Sequence, residues 1–159
     1  MLDEIYSTRI LALAAGISRI GRLEAPDATV TRRARICGST VTVDLVMQDD
    51  IVSAFAHEVR ACALGQAAAS VMASAVVGAR AGELRAVRET MRRMLEERGP
   101  PPQGRFAALR WLEGVRAYPA RHASTMLAFD AVVEAIGLIE ASRAGKESSR
   151  ADGDAWRGA

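Results

Sequence analysis

The spacing of hydrophobic residues changes along the chain, and each spacing predicts a different element. Residues 3–18 carry apolar side chains at helical intervals, and Asp3 and Glu4 suit the first turn of a helix. Residues 41–47 alternate between apolar and polar side chains, apart from Val46, which predicts a half-buried strand. The turn "QDD" separates it from a second strand, "IVSAFAHEV", in which one face carries Ile51, Phe55 and Val59.

A third strand is predicted in "TVTRRARIC", which ends at Cys37, and Gly38 then indicates a tight connection or a bulge. From Cys62 onward the pattern is helical. It predicts a small-residue helix with Gly78 at its C-cap, an amphipathic helix in "GELRAVRETMRRMLEER", short turns in "GRFAALRWLEGV" and a final helix entered through "YPARHAS". Strands followed by helices indicate an α+β fold. We expect one domain over residues 1–144 and a polar, mobile tail over residues 145–159.

Composition and charge narrow the class of protein. Half of the 159 residues are hydrophobic and a quarter are charged, as in a globular domain. The net charge of +2 gives no reason to expect nucleic-acid binding, and the arginines of "TRRAR" fit a solvated strand face better than a phosphate patch. The sequence opens with acidic residues rather than a signal peptide, and "RILALAAGISRI" is too short to cross a bilayer. We therefore expect a cytoplasmic protein with no membrane partner.

Thiol and imidazole side chains occur at only four positions, Cys37, Cys62, His57 and His122. Cys37, Cys62 and His122 lie at the ends of predicted elements, which can converge at one sheet edge and form a metal site. A helix N-terminus also favours the thiolate, the form that binds metal or accepts sulfur, at Cys62. The alternative is that both cysteines are small buried hydrophobic residues, because their separation matches no metal-binding signature. His57 shares strand parity with Phe55 and fits a strand-face or rim position better than a ligand position.

The order of the segments resembles that of the iron–sulfur cluster assembly scaffolds, the IscU, SufU and NifU N-terminal family. "IYSTRILAL" is similar to the first helix of that family. "ICGSTVTVDLVMQDDIVSAFAHEVRACALGQAAASVMAS" is similar to its first cysteine motif, its strands and the second cysteine that opens a helix, and "YPARHASTMLAFDAV" to the segment with its third cysteine. The resemblance implies an α+β fold with a three-stranded antiparallel sheet packed against several α-helices.

The same resemblance implies a site that holds zinc or a [2Fe–2S] cluster and receives sulfur from a cysteine desulfurase. Cys37 and Cys62 match the first and second cysteines, and His122 matches a histidine of the IscU type. Ser39 stands where the family has aspartate, and Ala123 where it has the third cysteine.

The number of ligands limits what such a site can hold. Three protein ligands suffice for an open zinc site, whereas a [2Fe–2S] cluster normally takes four. A fourth ligand would have to come from Ser39, Asp130, a partner or a second copy of the chain. We therefore expect any cluster to be labile or shared.

Three functional hypotheses follow. The first is a non-enzymatic scaffold that binds a [2Fe–2S] cluster, iron or zinc through Cys37, Cys62 and His122, with the desulfurase and other assembly proteins as partners and homo-oligomerisation left open. The second is a ligand-depleted binding module that engages those partners without carrying a cluster. The third is a cysteine enzyme with Cys62 as nucleophile and His57 or His122 as base, but the sequence has no oxyanion-hole motif to support it.

Overall fold

The computed structural model describes residues 7–157, with side chains described as far as residue 147. The elements in chain order are helix α1 (Thr8–Ala15), strands β1 (Ala28–Arg33), β2 (Thr40–Gln48) and β3 (Ile51–Arg60), helices α2 (Ala63–Ala75) and α3 (Ala81–Glu96), the 3-10 segments Gly104–Ala117 and Pro119–Arg121, and helix α4 (His122–Arg157). The α+β prediction is confirmed.

In α1, the Ser7 hydroxyl accepts a hydrogen bond from the Ile10 N–H, and the helix ends at Ala15, before residue 18. The acids predicted for its first turn, Asp3 and Glu4, lie outside the described residues.

The sheet has the order β1-β2-β3 with antiparallel pairing throughout. One face of β2 is buried, as its alternation predicts, and carries Val41, Val43, Leu45 and Met47. Helix α4 packs across β1 and β2, while α2 packs against α1 and α4. The core therefore lies between one face of the sheet and the layer of helices.

A β-bulge shifts the alternation of β3. Val46 pairs with Ala54 and Met47 with Val52, so Ser53 has no opposite residue. Val52 is consequently buried at 1% exposure and Ile51 is only partly buried. The prediction that Ile51 shares a face with Phe55 and Val59 was wrong, because the sequence pattern does not reveal the extra residue.

The sequence pattern predicts the buried faces of the helices more accurately than the residues at which the helices end. The stripe of α3 is buried and consists of Leu84, Val87, Met91, Met94 and Leu95. Gly78 is not the C-cap of α2, since that helix ends at Ala75 with Val76 in the cap position. Gly78 has φ +91° and donates its N–H to the Val52 carbonyl at 2.8 Å, so it lies in the connection to α3.

The last helix runs through most of the segment predicted to be a mobile tail and ends at Arg157. The domain boundary at residue 144 stays a prediction. Residues 119–147 are long and apolar enough to span a bilayer by length and composition, but 61% of the most apolar window is buried within the fold. This part of α4 is therefore a core helix.

Asp44 lies on the face of β2 opposite the core and is nevertheless fully buried. Its carboxylate accepts hydrogen bonds from the Arg22 Nε at 2.7 Å, the Thr29 hydroxyl at 2.6 Å and the Leu23 N–H at 2.9 Å. Burial by itself raises the pKa of Asp44, but the bonds from Arg22, Thr29 and Leu23 outweigh it and hold the pKa below its usual value. This carboxylate fixes the segment that connects α1 to β1.

We expect Asp44→Asn to lower the free energy of unfolding by about 2 to 3 kcal/mol, because an amide leaves some of these donors without an acceptor. Since the folded-state pKa of Asp44 is depressed, its contribution is present above the ordinary pKa of about 3.9 and is lost as pH falls through the lower folded-state value. Urea unfolding from neutral to acidic pH measures this effect. Asp50→Asn is the control, since Asp50 makes only an exposed ion pair with Arg80, and equal losses in the two variants would contradict the prediction.

Candidate functional site

The loop between β1 and β2 presents Cys37. Strand β1 ends at Arg33, earlier than predicted, and the Ala34 N–H donates to the Ser39 carbonyl at 2.9 Å to close the loop. Gly38 adopts φ +71°, a conformation that favours glycine, and this confirms the predicted tight connection. Cys37 is exposed, so its interpretation as a small buried hydrophobic residue was wrong.

Cys62 occupies the N-cap of α2, as the sequence predicts, and its carbonyl accepts the N–H of Gln66 at 2.9 Å. The start of α2 lies against the start of α4 because residue 65 has no side chain. A Cβ at Gly65 would lie 3.0 Å from the Ser124 carbonyl oxygen and 2.8 Å from the Ala61 Cβ. The glycine therefore permits the approach that places Cys62 beside Ser124.

Two thiols and two hydroxyls form one group, which we call the dithiol site: Cys37, Ser39, Cys62 and Ser124. The Cys37 Sγ lies 3.0 Å from the Ser39 Oγ, and the Cys62 Sγ lies 3.9 Å from the Ser124 Oγ. Hydrogen bonds from the side chain and then the backbone of Ser39 lower the pKa of Cys37, burial opposes this, and the Ser124 side chain contributes further to the lowering. Cys37 and Cys62 thus both interact with Ser124.

The two serines differ in whether the hydroxyl proton has another acceptor besides a thiol. The Ser124 Oγ lies 3.1 Å from the Arg121 carbonyl oxygen, so that carbonyl competes with the thiols for its single hydroxyl proton. Ser39 makes no other side-chain hydrogen bond among the described residues and is free to donate to a Cys37 thiolate. Both serines are buried, at 5% and 1% exposure, so their positions are fixed by packing.

His122 does not join the cysteines in this structure. Its Nε2 lies 3.0 Å from the Val115 carbonyl oxygen, and the residue lines a cavity of about 320 Å³ together with Ala123 and Asp130. Asp130, considered as an additional ligand, instead accepts a hydrogen bond from the Arg88 Nε at 2.6 Å. Across residues 7–147, no three His, Cys, Asp or Glu side chains are grouped so as to hold a metal ion. His122 as a ligand stays a prediction without support from this geometry.

The residue that sequence reasoning missed is Ser124. The resemblance placed the third cysteine position at Ala123, but Ala123 is exposed, and the next residue contacts Cys62. The correspondence of Ala123 to the third cysteine stays a prediction. Along a helix, one residue rotates a side chain by about 100°, so Ala123 and Ser124 face different directions.

His57 lies on β3, as predicted, but in the core rather than at the rim. It is fully buried, its Nε2 lies 2.8 Å from the Ser18 carbonyl oxygen, and burial lowers its pKa. Its backbone also pairs with the segment before β1, accepting from the Gly21 N–H and donating to the Arg19 carbonyl. The role visible here is to attach that segment to the sheet.

We expect Gly65→Ala to lower the free energy of unfolding by about 1 to 3 kcal/mol, because the new methyl group meets the Ser124 backbone and forces α2 and α4 apart. Gly82→Ala is the matched control. It lies in α3 with nothing within 4 Å of its Cβ position, so the variant should be neutral or more stable by up to about 1 kcal/mol. Thermal or urea unfolding measures both, and a Gly65→Ala protein as stable as the wild type would exclude the close approach.

We expect Ser39→Ala to raise the pKa of Cys37, because the thiolate loses the donor that contributes most to the lowering. Ser124→Ala should raise it by a smaller amount. The rate of iodoacetamide alkylation at Cys37 as a function of pH, followed by peptide mass spectrometry, gives the midpoint for each protein. Ser53→Ala, a substitution in the β3 bulge, is the control, and a midpoint unchanged by Ser39→Ala would refute this role.

Comparison with known proteins identifies the family of the chain. Residues 5–143 match the family model described as the NifU-like N terminal domain. The chain is 30% identical over 138 residues to the iron-sulfur cluster assembly scaffold protein IscU of Thermotoga maritima, covering 85% of this chain and 94% of that protein. The crystal structure of a nitrogen-fixing NifU-like protein (N-terminal) from Brucella abortus has 58% identity and a TM-score of 0.86, covering 87% of this chain and 96% of that one.

A structure of lower identity shares the fold. The putative iron-sulfur cluster assembly scaffold protein for the SUF system from Fervidobacterium islandicum has 20% identity and a TM-score of 0.75, covering 83% of this chain and 96% of that one. The resemblance drawn from the ordered sequence segments is confirmed. The chain belongs to the NifU-like N-terminal domain family.

Proposed function

We propose that this protein acts in iron–sulfur cluster assembly as a scaffold-type carrier whose two thiols hold iron or a nascent cluster as cargo. The observation that carries the proposal is that each thiol lies against a buried hydroxyl: the Cys37 Sγ is 3.0 Å from the Ser39 Oγ, and the Cys62 Sγ is 3.9 Å from the Ser124 Oγ, a hydroxyl that also contributes to the lowered pKa of Cys37. Family membership and the names of the relatives support the pathway. The role is that of a carrier rather than an enzyme.

The donor set of one chain does not fit a stable [2Fe–2S] cluster. Such a cluster normally takes four protein ligands, and the dithiol site offers two thiolates and two hydroxyls, which are poor ligands at neutral pH. Zinc bound by two thiolates alone also lacks the three protein ligands of a typical open site. The cargo is therefore held weakly or with ligands from outside the chain.

The serines then act on the thiols rather than on the metal. Ser39 lies at hydrogen-bond distance from Cys37 and lowers its pKa, which favours the thiolate, the form that binds metal or accepts sulfur. Ser124 holds Cys62 against the start of α4. A cysteine desulfurase supplies the sulfur in this proposal, and other assembly proteins receive the cargo.

Anaerobic reconstitution with ferrous iron and sulfide tests the proposal. We expect visible absorption and acid-labile sulfide that both disappear in Cys37→Ala and in Cys62→Ala. His122→Ala is the informative control. If His122 is a ligand, this variant should lose absorption and sulfide; if its side chain only bonds to the Val115 carbonyl, both should be unchanged. A colourless wild type without bound zinc would reject cargo binding and favour the alternative, a ligand-depleted module that only engages assembly partners.

Adding a third thiol tests the geometry of the site. We expect Ser124→Cys to slow the release of reconstituted iron to a chelator by about tenfold or more, because a third thiolate joins the two that converge there. Ala123→Cys is the matched control, one residue away and facing the neighbouring cavity. A larger gain from Ala123→Cys than from Ser124→Cys would contradict the assignment of Ser124 to the site.

A further inference from the structure

The two thiols of the dithiol site lie at the same end of the same pair of strands. Thr40 begins β2 and pairs with Arg60, the last residue of β3, so the segments that carry Cys37 and Cys62 leave the sheet side by side. The Ser124 Oγ lies 3.9 Å from the Cys62 Sγ and also contributes a hydrogen bond to the Cys37 side chain. Two thiols from different segments of the chain therefore lie against one buried oxygen.

The two thiols differ in how far solvent reaches them. Cys37 is exposed in the β1–β2 loop, next to Ile36, which is 76% exposed. Cys62 is only partly exposed and packs against the hydrophobic core. A dissolved oxidant therefore reaches Cys37 first. The hydrogen bonds from Ser39 that lower the pKa of Cys37 favour the thiolate, which is the form that reacts.

The β1–β2 loop is fixed at its base, and Cys37 lies in its tip. The Ala34 N–H donates to the Ser39 carbonyl at 2.9 Å, and the Gly38 N–H donates to the Ala34 carbonyl at 2.8 Å. A disulfide needs Cβ atoms about 4 Å apart. Because β1 ends and β2 begins outside residues 35–37, the Cys37 sulfur can turn from Ser124 to Cys62 without breaking any strand pairing.

We propose that Cys37 and Cys62 are a redox-active pair that a peroxide converts into a reversible disulfide. First, the Cys37 thiolate attacks one peroxide oxygen: an S–O bond forms, the O–O bond breaks and the other oxygen leaves as hydroxide. The Cys62 thiolate then attacks the Cys37 sulfur: the S–S bond forms, the S–O bond breaks and a second hydroxide leaves. The two thiols give up two electrons and two protons, which reduce one peroxide to two waters.

The disulfide closes the dithiol site, because neither sulfur is then available as a thiolate. A small dithiol such as dithiothreitol returns both thiols by exchange. This modification goes beyond the proposed function and needs no metal, so it is tested on the metal-free protein and its outcome does not depend on cargo binding.

A redox equilibrium measures whether the fold brings the two thiols together. The metal-free full chain is equilibrated anaerobically with buffers of reduced and oxidised glutathione, once in its native state and once in concentrated urea. The chain has only two cysteines, so a disulfide within a monomer can join only Cys37 and Cys62. We expect the effective concentration of the thiol pair to be at least about tenfold higher in the native state than in urea. A native value no higher than the value in urea would overturn the inference.

Moving the second thiol tests the geometry with peroxide as the oxidant. In the Cys62→Ser protein, peroxide should leave Cys37 as a sulfenic acid that dimedone traps. Adding Ser124→Cys to that protein should restore an intramolecular disulfide, because Ser124 contacts the Cys37 side chain.

Ala123→Cys in the same Cys62→Ser background is the matched control, because Ala123 lines the neighbouring cavity. Its disulfide should form at least about tenfold more slowly than that of the Ser124→Cys protein. Equal rates in the two proteins, or covalent dimers of the wild type in place of the linked monomer, would overturn the inference. A wild type that forms the disulfide but holds no iron would overturn only the proposed function.

Discussion

The approach of two helix starts at Gly65 is the contact on which the dithiol site depends. Cys62 caps α2, Ser124 lies in the first turn of α4, and the glycine between them allows the backbones to meet. The β1–β2 loop supplies the rest of the site, Cys37 and Ser39, whose sulfur and hydroxyl oxygen lie 3.0 Å apart. The small residues of α2 also allow close packing, because a helix face without bulky side chains can lie close to its neighbours.

The fold of the family is present, while the side chains beside the two thiols carry hydroxyl groups. Ser124 is buried, and a hydroxyl is a poorer ligand for soft metals than a thiolate. Ser39 is likewise buried and hydrogen-bonded, and it changes the thiol next to it.

Much of the fold follows from local patterns in the sequence. The alternation in β2, the amphipathic stripe of α3 and the N-cap position of Cys62 depend on neighbouring residues, and the structure confirms them. The bulge at Ser53 depends on pairing between β2 and β3, and the end of α2 before Gly78 depends on the connection to α3. The spacing of hydrophobic residues within one segment does not predict either feature.

The sequence by itself determined the α+β class, the family resemblance and the two cysteines, because hydrophobic period and motif order are properties of the chain alone. Only the tertiary structure decided which polar residues join those cysteines. His122 turns towards the Val115 carbonyl and Ser124 towards Cys62, although the two are separated by a single residue. The direction of a side chain on a helix changes with each residue, and the packing of α4 against α2 fixes which of them faces the thiols.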